Sequence, residues 1–173
     1  MSPPAGVPEA APLDRASDQP GSSETSGVRV PPPLYYVAGF LLGIAVEAAV
    51  PIDRPPLAIT IIAVAIGIGG WLALDGAAML AFNRVGTSMV PMRPTTALVR
   101  TGPYRFTRNP MYVGMAFLYL ALAFASGLVW PLLLLPVVLA AVDRLVIGRE
   151  EAYLTRRFGR AYGDYKATTR RWL

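Results

Sequence analysis

The stretch that decides the fold is MYVGMAFLYLALAFASGLVWPLLLLPVVLAAV, which runs from Met111 to Val142 without a formal charge. A transmembrane helix needs roughly 20 apolar residues, so this run is too long for a single span. The Ser126-Gly127 pair near its middle favours a turn. We therefore predict two helices that form a hairpin and enter the membrane deeply. The predicted helices cover about 110–125 and 128–147.

Two further apolar windows precede this hairpin. They run from Leu34 to about Val50 and from Leu57 to about Phe82, with a proline-rich turn over 51–56 between them. The pattern predicts an all-α integral membrane protein with about four transmembrane helices. The alternative, a soluble all-α bundle, would need polar helix faces, and these windows show almost none.

The composition agrees with a membrane protein. The chain has 173 residues, of which 54% are hydrophobic and 16% charged, and its net charge is +5. Soluble domains carry about 25% charged residues. A basic chain with this apolar content favours a membrane partner over nucleic acid. Because the chain has no Cys and no His, disulfides, thiol nucleophiles, imidazole bases and thiolate or imidazole metal sites are excluded, and we expect no metal.

The basic residues cluster in two segments. Five arginines and no acid lie in 83–109, and eight basic residues lie in 143–173. A four-helix topology puts both segments on one side, which the positive-inside rule makes cytoplasmic. The Arg-, Ala- and Gly-rich composition favours a bacterial source. We therefore expect an inner-membrane protein with both termini in the cytoplasm, surrounded by membrane lipids, and leave the oligomeric state open.

Residues 1–33 differ from the rest of the chain. They hold eight prolines and few large apolar residues, so they cannot bury enough surface to offset their ordering entropy. The composition predicts a disordered tail. Residues 34–82 then carry the first helix pair, and residues 83–173 carry the second pair with its two polar segments.

Two acids lie within the first two apolar windows. Glu47 is close enough to the end of its helix to reach the interface. Asp75 lies deeper, where an ionisable residue is costly. Gly69, Gly70 and Gly76 are nearby in sequence and allow tight helix contacts. The alternatives for Asp75 are a functional role and an interhelical hydrogen bond or water contact.

The polar segment before the hairpin has features of a ligand site. Gly102-Pro103 forces a turn, and Arg108 precedes an Asn109-Pro110 boundary that starts a membrane helix. Backbone N–H groups at a helix start are free to bind an anion or a polar ligand. The alternative for the arginines of this segment is contact with lipid headgroups.

The segment after the hairpin predicts one cytoplasmic amphipathic helix, because apolar residues recur at helical spacing from Leu154 to Tyr165. Glu150 and Glu151 lie where the last membrane helix emerges. Adjacent carboxylates repel each other, so both need cationic partners. The available partners are Arg105, Arg144 and Arg149. An interfacial charge pair that binds no ligand is the alternative.

These two segments resemble the isoprenylcysteine carboxyl methyltransferase family and the related phospholipid methyltransferases. The resemblance covers about Phe82 to Trp172. It rests on two separated motifs in the right order. The motifs are Leu98-Val99-x-x-Gly102-Pro103-Tyr104-Arg105-x-x-Arg108-Asn109-Pro110-x-Tyr112-x-Gly114 and Glu150-Glu151-x-x-Leu154-x-x-x-Phe158-Gly159-x-x-Tyr162-x-x-Tyr165. Members of this family are integral membrane enzymes that bind S-adenosyl-L-methionine on the cytoplasmic side, so the resemblance makes 83–173 the cofactor-binding region.

The resemblance also implies particular site residues. The implied cofactor contacts are Thr96, Ala97, Leu98, Val99, Tyr104, Asn109, Pro110, Met111, Tyr112, Glu150 and Glu151. The candidate catalytic residues are Arg108, Arg144 and Glu150. Two positions depart from the family. Asn109 stands where His is usual, and it cannot carry a proton charge. Val146 stands where eukaryotic members have an arginine that contacts the substrate.

The implied activity is methyl transfer to a lipophilic acceptor, namely a carboxylate, thiol or amine of an isoprenoid- or lipid-like molecule. A carboxylate needs no base, whereas an amine must be deprotonated before it attacks. Two alternatives stay open. One is a membrane oxidoreductase similar to the sterol reductases, which use NADPH. The other is a non-catalytic membrane protein that keeps the fold.

Overall fold

A computed structural model of the chain describes residues 26–86 and 97–173, without the side chain of Val85. About three quarters of the described residues are helical, and none forms a strand. The elements are α1 (Pro32–Ala49), α2 (Leu57–Val85), a 3-10 turn (Gly102–Arg105), α3 (Pro110–Ser126), α4 (Trp130–Val142), a π-helical turn (Asp143–Ile147), α5 (Gly148–Phe158) and α6 (Arg160–Thr168). The four apolar helices α1 to α4 begin and end close to the bounds that hydropathy predicts.

Three helices are long and apolar enough to cross a membrane. They are Pro32–Ala49, Leu57–Arg84 and the continuous rod Trp130–Phe158, while α3 is a shorter apolar helix of 17 residues. Large apolar side chains cover their outer surfaces, and Leu57 is 74% exposed. Such a surface suits lipid rather than water. The prediction of an all-α integral membrane protein is confirmed.

The helices pack in two pairs, α2 against α3 and α1 against α4. Glycines make both contacts close. A side chain at Gly70 would overlap the ring of Phe117, and one at Gly43 would overlap Pro131. The predicted turn between α3 and α4 is also present, because Gly127 has a φ of 67°, a left-handed conformation that favours glycine.

Glu47 links the end of α1 to the start of α4, at one end of this four-helix arrangement. Its carboxylate accepts hydrogen bonds from the backbone N–H groups of Ile52 at 2.8 Å, Val129 at 2.9 Å and Trp130 at 3.0 Å. The Trp130 indole N–H also donates to the carbonyl of Val50 at 2.7 Å. Glu47 therefore caps the start of α4 and joins it to the turn after α1.

The opposite end differs from the prediction of one amphipathic helix over 149–165. Gly159, with a φ of 50°, ends α5, and α6 starts at the next residue. This break turns α6 back toward the bundle. The Tyr165 hydroxyl then donates to the backbone carbonyl of Tyr104 at 2.7 Å, which fixes α6 over the 3-10 turn.

The end of the predicted disordered tail is packed. Val28 is 5% exposed and belongs to the core that contains Tyr36 and Val146. The Arg149 guanidinium donates to the Gly27 carbonyl at 3.4 Å. Val28 and Pro32 of segment 26–33 are therefore packed against the helices, whereas Val30 is 40% exposed. Residues 1–25 of the predicted tail lie outside the described residues.

Candidate functional site

A cavity of about 510 Å³ lies between the starts of α1 and α3, the C-terminal part of α2, and helices α5 and α6. We call it the central cavity. Its wall comes from segment 26–33, α2, residues 97–99, the 3-10 turn, the start of α3, α5 and α6. The volume is within the range of about 300–1,000 Å³ that small-molecule sites occupy. The two polar segments that the sequence singled out thus meet around one space.

Most of the predicted site residues line this cavity. They are Ala97, Leu98, Val99, Tyr104, Arg108, Asn109, Met111, Tyr112, Glu150 and Glu151. Pro110 is fully buried at the first turn of α3 and does not line the cavity. Thr96 lies outside the described residues.

Arg144 is placed differently from the other candidate catalytic residues. It lies in the π-helical turn, its side chain is exposed, and it is absent from the cavity wall. Val146, in the same turn, is fully buried in the core with Tyr36 and Tyr112. Neither residue of this turn therefore brings a cation to the central cavity.

Glu150 faces the central cavity. Its Oε1 accepts a hydrogen bond from the Tyr112 hydroxyl at 2.7 Å. Within the described residues no arginine or lysine forms an ion pair with Glu150. A carboxylate that is fixed by a phenol and faces a cavity without a paired cation is suited to bind a cationic ligand group.

Glu151 has the opposite surroundings. The Arg108 Nη2 is 2.9 Å from Glu151 Oε1, and the Arg171 Nη2 is 2.6 Å from Oε2. Arg171 also pairs with Asp143 at 3.2 Å, and the Trp172 indole donates to that aspartate at 3.0 Å. We call these five residues the C-terminal clamp. The expected partners Arg105, Arg144 and Arg149 are wrong for Glu151.

The remaining donors of the Arg108 guanidinium bind backbone carbonyls near the end of the chain. Its Nη1 donates to the backbone carbonyls of Lys166 at 3.0 Å and Thr169 at 2.7 Å. The Arg108 side chain is 11% exposed. Arg108 lines the central cavity, yet its donors hold the C-terminal segment. Arg108 therefore stabilises the cavity wall, and its guanidinium is not free to bind an anionic ligand.

Asn109 also holds the C-terminal segment. Its side-chain Nδ2 donates to the Arg171 carbonyl at 2.9 Å, and the Thr107 hydroxyl donates to the same carbonyl at 3.0 Å. The Asn109 backbone N–H donates to the Thr107 hydroxyl at 3.1 Å. One amide donor of Asn109 is therefore occupied by the fold, which leaves its second side-chain N–H and its side-chain oxygen open to a ligand.

Burial perturbs the tyrosines of the cavity wall. It raises the pKa of Tyr165 to about 12, although Arg108 and Arg100 act in the opposite direction. Burial also raises the pKa of Tyr104 above its usual range, with further electrostatic contributions from Tyr165, Glu150 and Asp75. These phenols stay neutral at physiological pH, and Tyr104 is within electrostatic reach of both carboxylates.

Several wall residues were not assigned to the site from the sequence. They are Ser26, Pro31, Pro32, Pro33, Met79, Phe82, Met115, Tyr153, Leu154, Tyr162 and Tyr165, together with the unassigned Asp75. The three-residue spacing of Tyr162 and Tyr165 on α6 was a usable signal, because it puts both rings on one helix face. The packing of segment 26–33 carries no comparable sequence signal.

Comparison with known proteins gives one family. A family model described as phospholipid methyltransferase matches residues 57–161. No curated protein and no solved structure matches the chain. The matched range begins with α2 and ends within α6, so it includes the Asn109–Tyr112 helix start and the Glu150-Glu151 pair.

Proposed function

Because the chain belongs to the phospholipid methyltransferase family, we propose that it is an S-adenosyl-L-methionine-dependent membrane methyltransferase that acts on a lipophilic acceptor. The observation that carries the proposal is Glu150, a carboxylate on the cavity wall that lacks a cationic partner among the described residues. A ligand with an amino group and a sulfonium centre supplies the missing positive charge.

The residues around the central cavity fit such a ligand. Glu150 would hold the amino group, and the Tyr112 hydroxyl keeps the carboxylate in place by its 2.7 Å hydrogen bond. The rings of Tyr104 and Tyr162, both buried in the wall, offer faces for a purine base. The Asn109 side-chain oxygen offers an acceptor for a further donor.

When bound, S-adenosyl-L-methionine would supply an electrophilic methyl group. Transfer of that group requires the protein to align donor and acceptor and to exclude water. Segment 26–33 and α6 close the cavity from two sides. Met79 both lines the cavity and is 50% exposed on the lipid-facing surface, which marks a route by which a lipid chain can enter.

The NADPH-dependent alternative fits the same cavity less well. NADPH carries several phosphate charges, and phosphates bind best to arginines with free donors. Among residues 26–86 and 97–173, the arginine in the wall is Arg108, whose guanidinium already binds Glu151 and two backbone carbonyls. The wall also contains three carboxylates, from Asp75, Glu150 and Glu151. We therefore expect S-adenosyl-L-methionine to bind and NADPH not to.

Glu150→Gln tests this proposal because it keeps the shape of the side chain and removes its charge. A charge-assisted hydrogen bond at a partly buried site is worth on the order of 1.5–3 kcal/mol. We therefore expect calorimetry to show roughly tenfold or weaker binding of S-adenosyl-L-methionine, since about 1.4 kcal/mol corresponds to a factor of ten.

The control is Arg84→Gln, in an exposed side chain near the end of α2 that we assign to lipid headgroups. It should leave binding nearly unchanged. Binding to Glu150→Gln that is as tight as to the parent protein would refute the role of Glu150. Absence of binding to the parent protein would refute the cofactor itself.

We also propose that the central cavity faces the cytoplasm of a bacterial cell. The support is the arginine-rich composition of the segments that surround the cavity. Reporter fusions after Arg54 and at the C-terminus should then lie on opposite sides of the inner membrane, with the C-terminal reporter in the cytoplasm. Reporters on the same side would contradict the four-helix topology.

A further inference from the structure

Asp75 is a charged residue of the cavity wall that the proposed cofactor contacts do not use. It lies in α2, within an apolar membrane helix. Its Oδ2 atom is buried and has no hydrogen-bond partner among residues 26–86 and 97–173. A buried carboxylate without a partner is costly, and such groups in membrane helices usually mark a functional site.

Gly114 of α3 leaves the space that this carboxylate occupies. A side chain at Gly114 would overlap both the Oδ2 and the Cγ atoms of Asp75. Of the glycines near Asp75 in sequence, Gly69 and Gly76 have no such neighbour within 4 Å. The close approach of α3 at Gly114 thus keeps Asp75 beside the cavity while giving it no donor.

Glu47 shows how the same protein treats an acid that has a structural role. Three backbone N–H groups, from Ile52, Val129 and Trp130, donate to the Glu47 carboxylate at 2.8–3.0 Å. Asp75 has no equivalent donors among the described residues. The contrast indicates that the partner of Asp75 is a ligand that binds in the central cavity.

We propose that Asp75 binds the protonated amine or the hydroxyl group of the methyl acceptor and takes a proton from it, which leaves a lone pair on the acceptor atom free to attack. This inference rests on the proposed methyltransferase function and narrows its acceptor to a protic nucleophile. The acceptor atom forms its bond to the methyl carbon, and the methyl–sulfur bond breaks with its electron pair left on sulfur. The proton of the acceptor passes to the Asp75 carboxylate.

The same carboxylate makes the site unfavourable for a carboxylate acceptor. Two like charges close together in a medium of low dielectric constant repel each other strongly. Tyr104, Glu150 and Asp75 line the same cavity, and the pKa of Tyr104 is raised chiefly by burial, then by Tyr165, and then by Glu150 and Asp75. Glu150 thus has the cofactor as its partner and Asp75 has the acceptor.

A direct binding experiment needs no turnover. Dodecylamine and dodecanoic acid have chains of equal length and opposite charge at neutral pH. In nanodiscs saturated with S-adenosylhomocysteine, the parent protein should bind the amine roughly tenfold or more tightly than the acid. Asp75→Asn should abolish this preference. Equal binding of the two amphiphiles by the parent protein, or an unchanged preference in Asp75→Asn, would overturn the proposal.

Methyl transfer gives the second measurement, with vesicles of an ethanolamine phospholipid as the amine probe and a farnesylated cysteine as the carboxylate probe. General-base catalysis contributes about 10²–10⁴ in rate, so Asp75→Asn should lower kcat for the amine roughly 100-fold or more. Because asparagine lacks the charge that attracts the amine, the KM for this acceptor should also rise roughly tenfold. Methylation of the farnesylated cysteine alone would overturn the proposal.

The matched control is Glu47→Gln, which alters the acid of α1 whose carboxylate has backbone donors. It should lower the thermal stability and leave kcat per folded molecule unchanged. Asp75→Asn should keep or raise the thermal stability, since it removes an unpaired charge, and should still bind S-adenosyl-L-methionine. A large loss of stability in Asp75→Asn with unchanged kcat would show that Asp75 is structural. Loss of cofactor binding by the parent protein would instead refute the proposed function.

Discussion

Glu150 and Glu151 are neighbours on α5, yet they belong to two regions of opposite character. Glu151 lies in the C-terminal clamp, where two arginines pair with it at 2.9 and 2.6 Å. Glu150 lies in the wall of the central cavity, where its hydrogen-bond donor is the neutral phenol of Tyr112. Adjacent positions on a helix point in different directions, so one carboxylate is used by the fold and the other is open to a ligand.

The same distinction applies to the whole end of the molecule that contains α5 and α6. In the clamp every charge has a partner, and Asp143 joins it through both Arg171 and Trp172. In the cavity, Asp75 and Glu150 lack a cationic partner among the described residues. The paired charges of the clamp hold the C-terminal residues against α3. The carboxylates without a cationic partner indicate where ligands bind.

The largest effect that separates the two regions is expected for Glu151→Gln. Removal of this charge leaves Arg108, whose side chain is 11% exposed, without its ion pair. Loss of one partner of a buried pair costs about 3–5 kcal/mol, and the partial exposure of Arg171 brings the value toward the lower end. Glu150→Gln removes no ion pair of the described fold, so its stability should change by less than about 1 kcal/mol.

Thermal unfolding in detergent, followed by circular dichroism, compares these two variants directly. Tryptophan fluorescence adds a local measurement, because Trp172 donates to Asp143 within the clamp. A change in tryptophan fluorescence at a lower temperature than in the parent protein, seen in Glu151→Gln and not in Glu150→Gln, would support the division into two regions. Equal destabilisation of both variants would show that Glu150 is also a structural charge.

The sequence predicts the membrane helices well, because hydropathy and helix breakers are local properties. The windows at 34–50 and 57–82 and the turn at Gly127 all correspond to observed elements. The single helix predicted over 149–165 was wrong, because one glycine with a positive φ ends α5 before α6 begins. Gly159 divides it, and this division brings Tyr165 onto the 3-10 turn.

The partners of the charged residues were much less predictable. Glu151 pairs with Arg108 and Arg171, which lie 43 and 20 residues away in the chain, because the C-terminal segment folds back over α3. Likewise, the glycine that accommodates Asp75 is Gly114 on the neighbouring helix. Such contacts depend on how distant segments pack, which spacing within one helix does not specify.

The smallest effect is expected for Arg144→Gln. This variant tests whether the π-helical turn takes part in binding or methyl transfer. Arg144 is exposed in the π-helical turn and does not line the cavity. Exposed substitutions of this kind usually change stability by less than about 0.5 kcal/mol. We therefore expect unchanged unfolding, unchanged affinity for S-adenosyl-L-methionine in calorimetry and unchanged methyl transfer.

The same measurements also define the opposite outcome for Arg144. If Arg144→Gln bound the cofactor normally but lost methyl transfer, an acidic part of the acceptor would have to lie against the π-helical turn. The reacting complex would then extend beyond the central cavity to the outer face of Asp143–Ile147. A parent-like rate instead restricts the chemistry to the space between Glu150 and Asp75, where the described fold leaves two carboxylates without cationic partners.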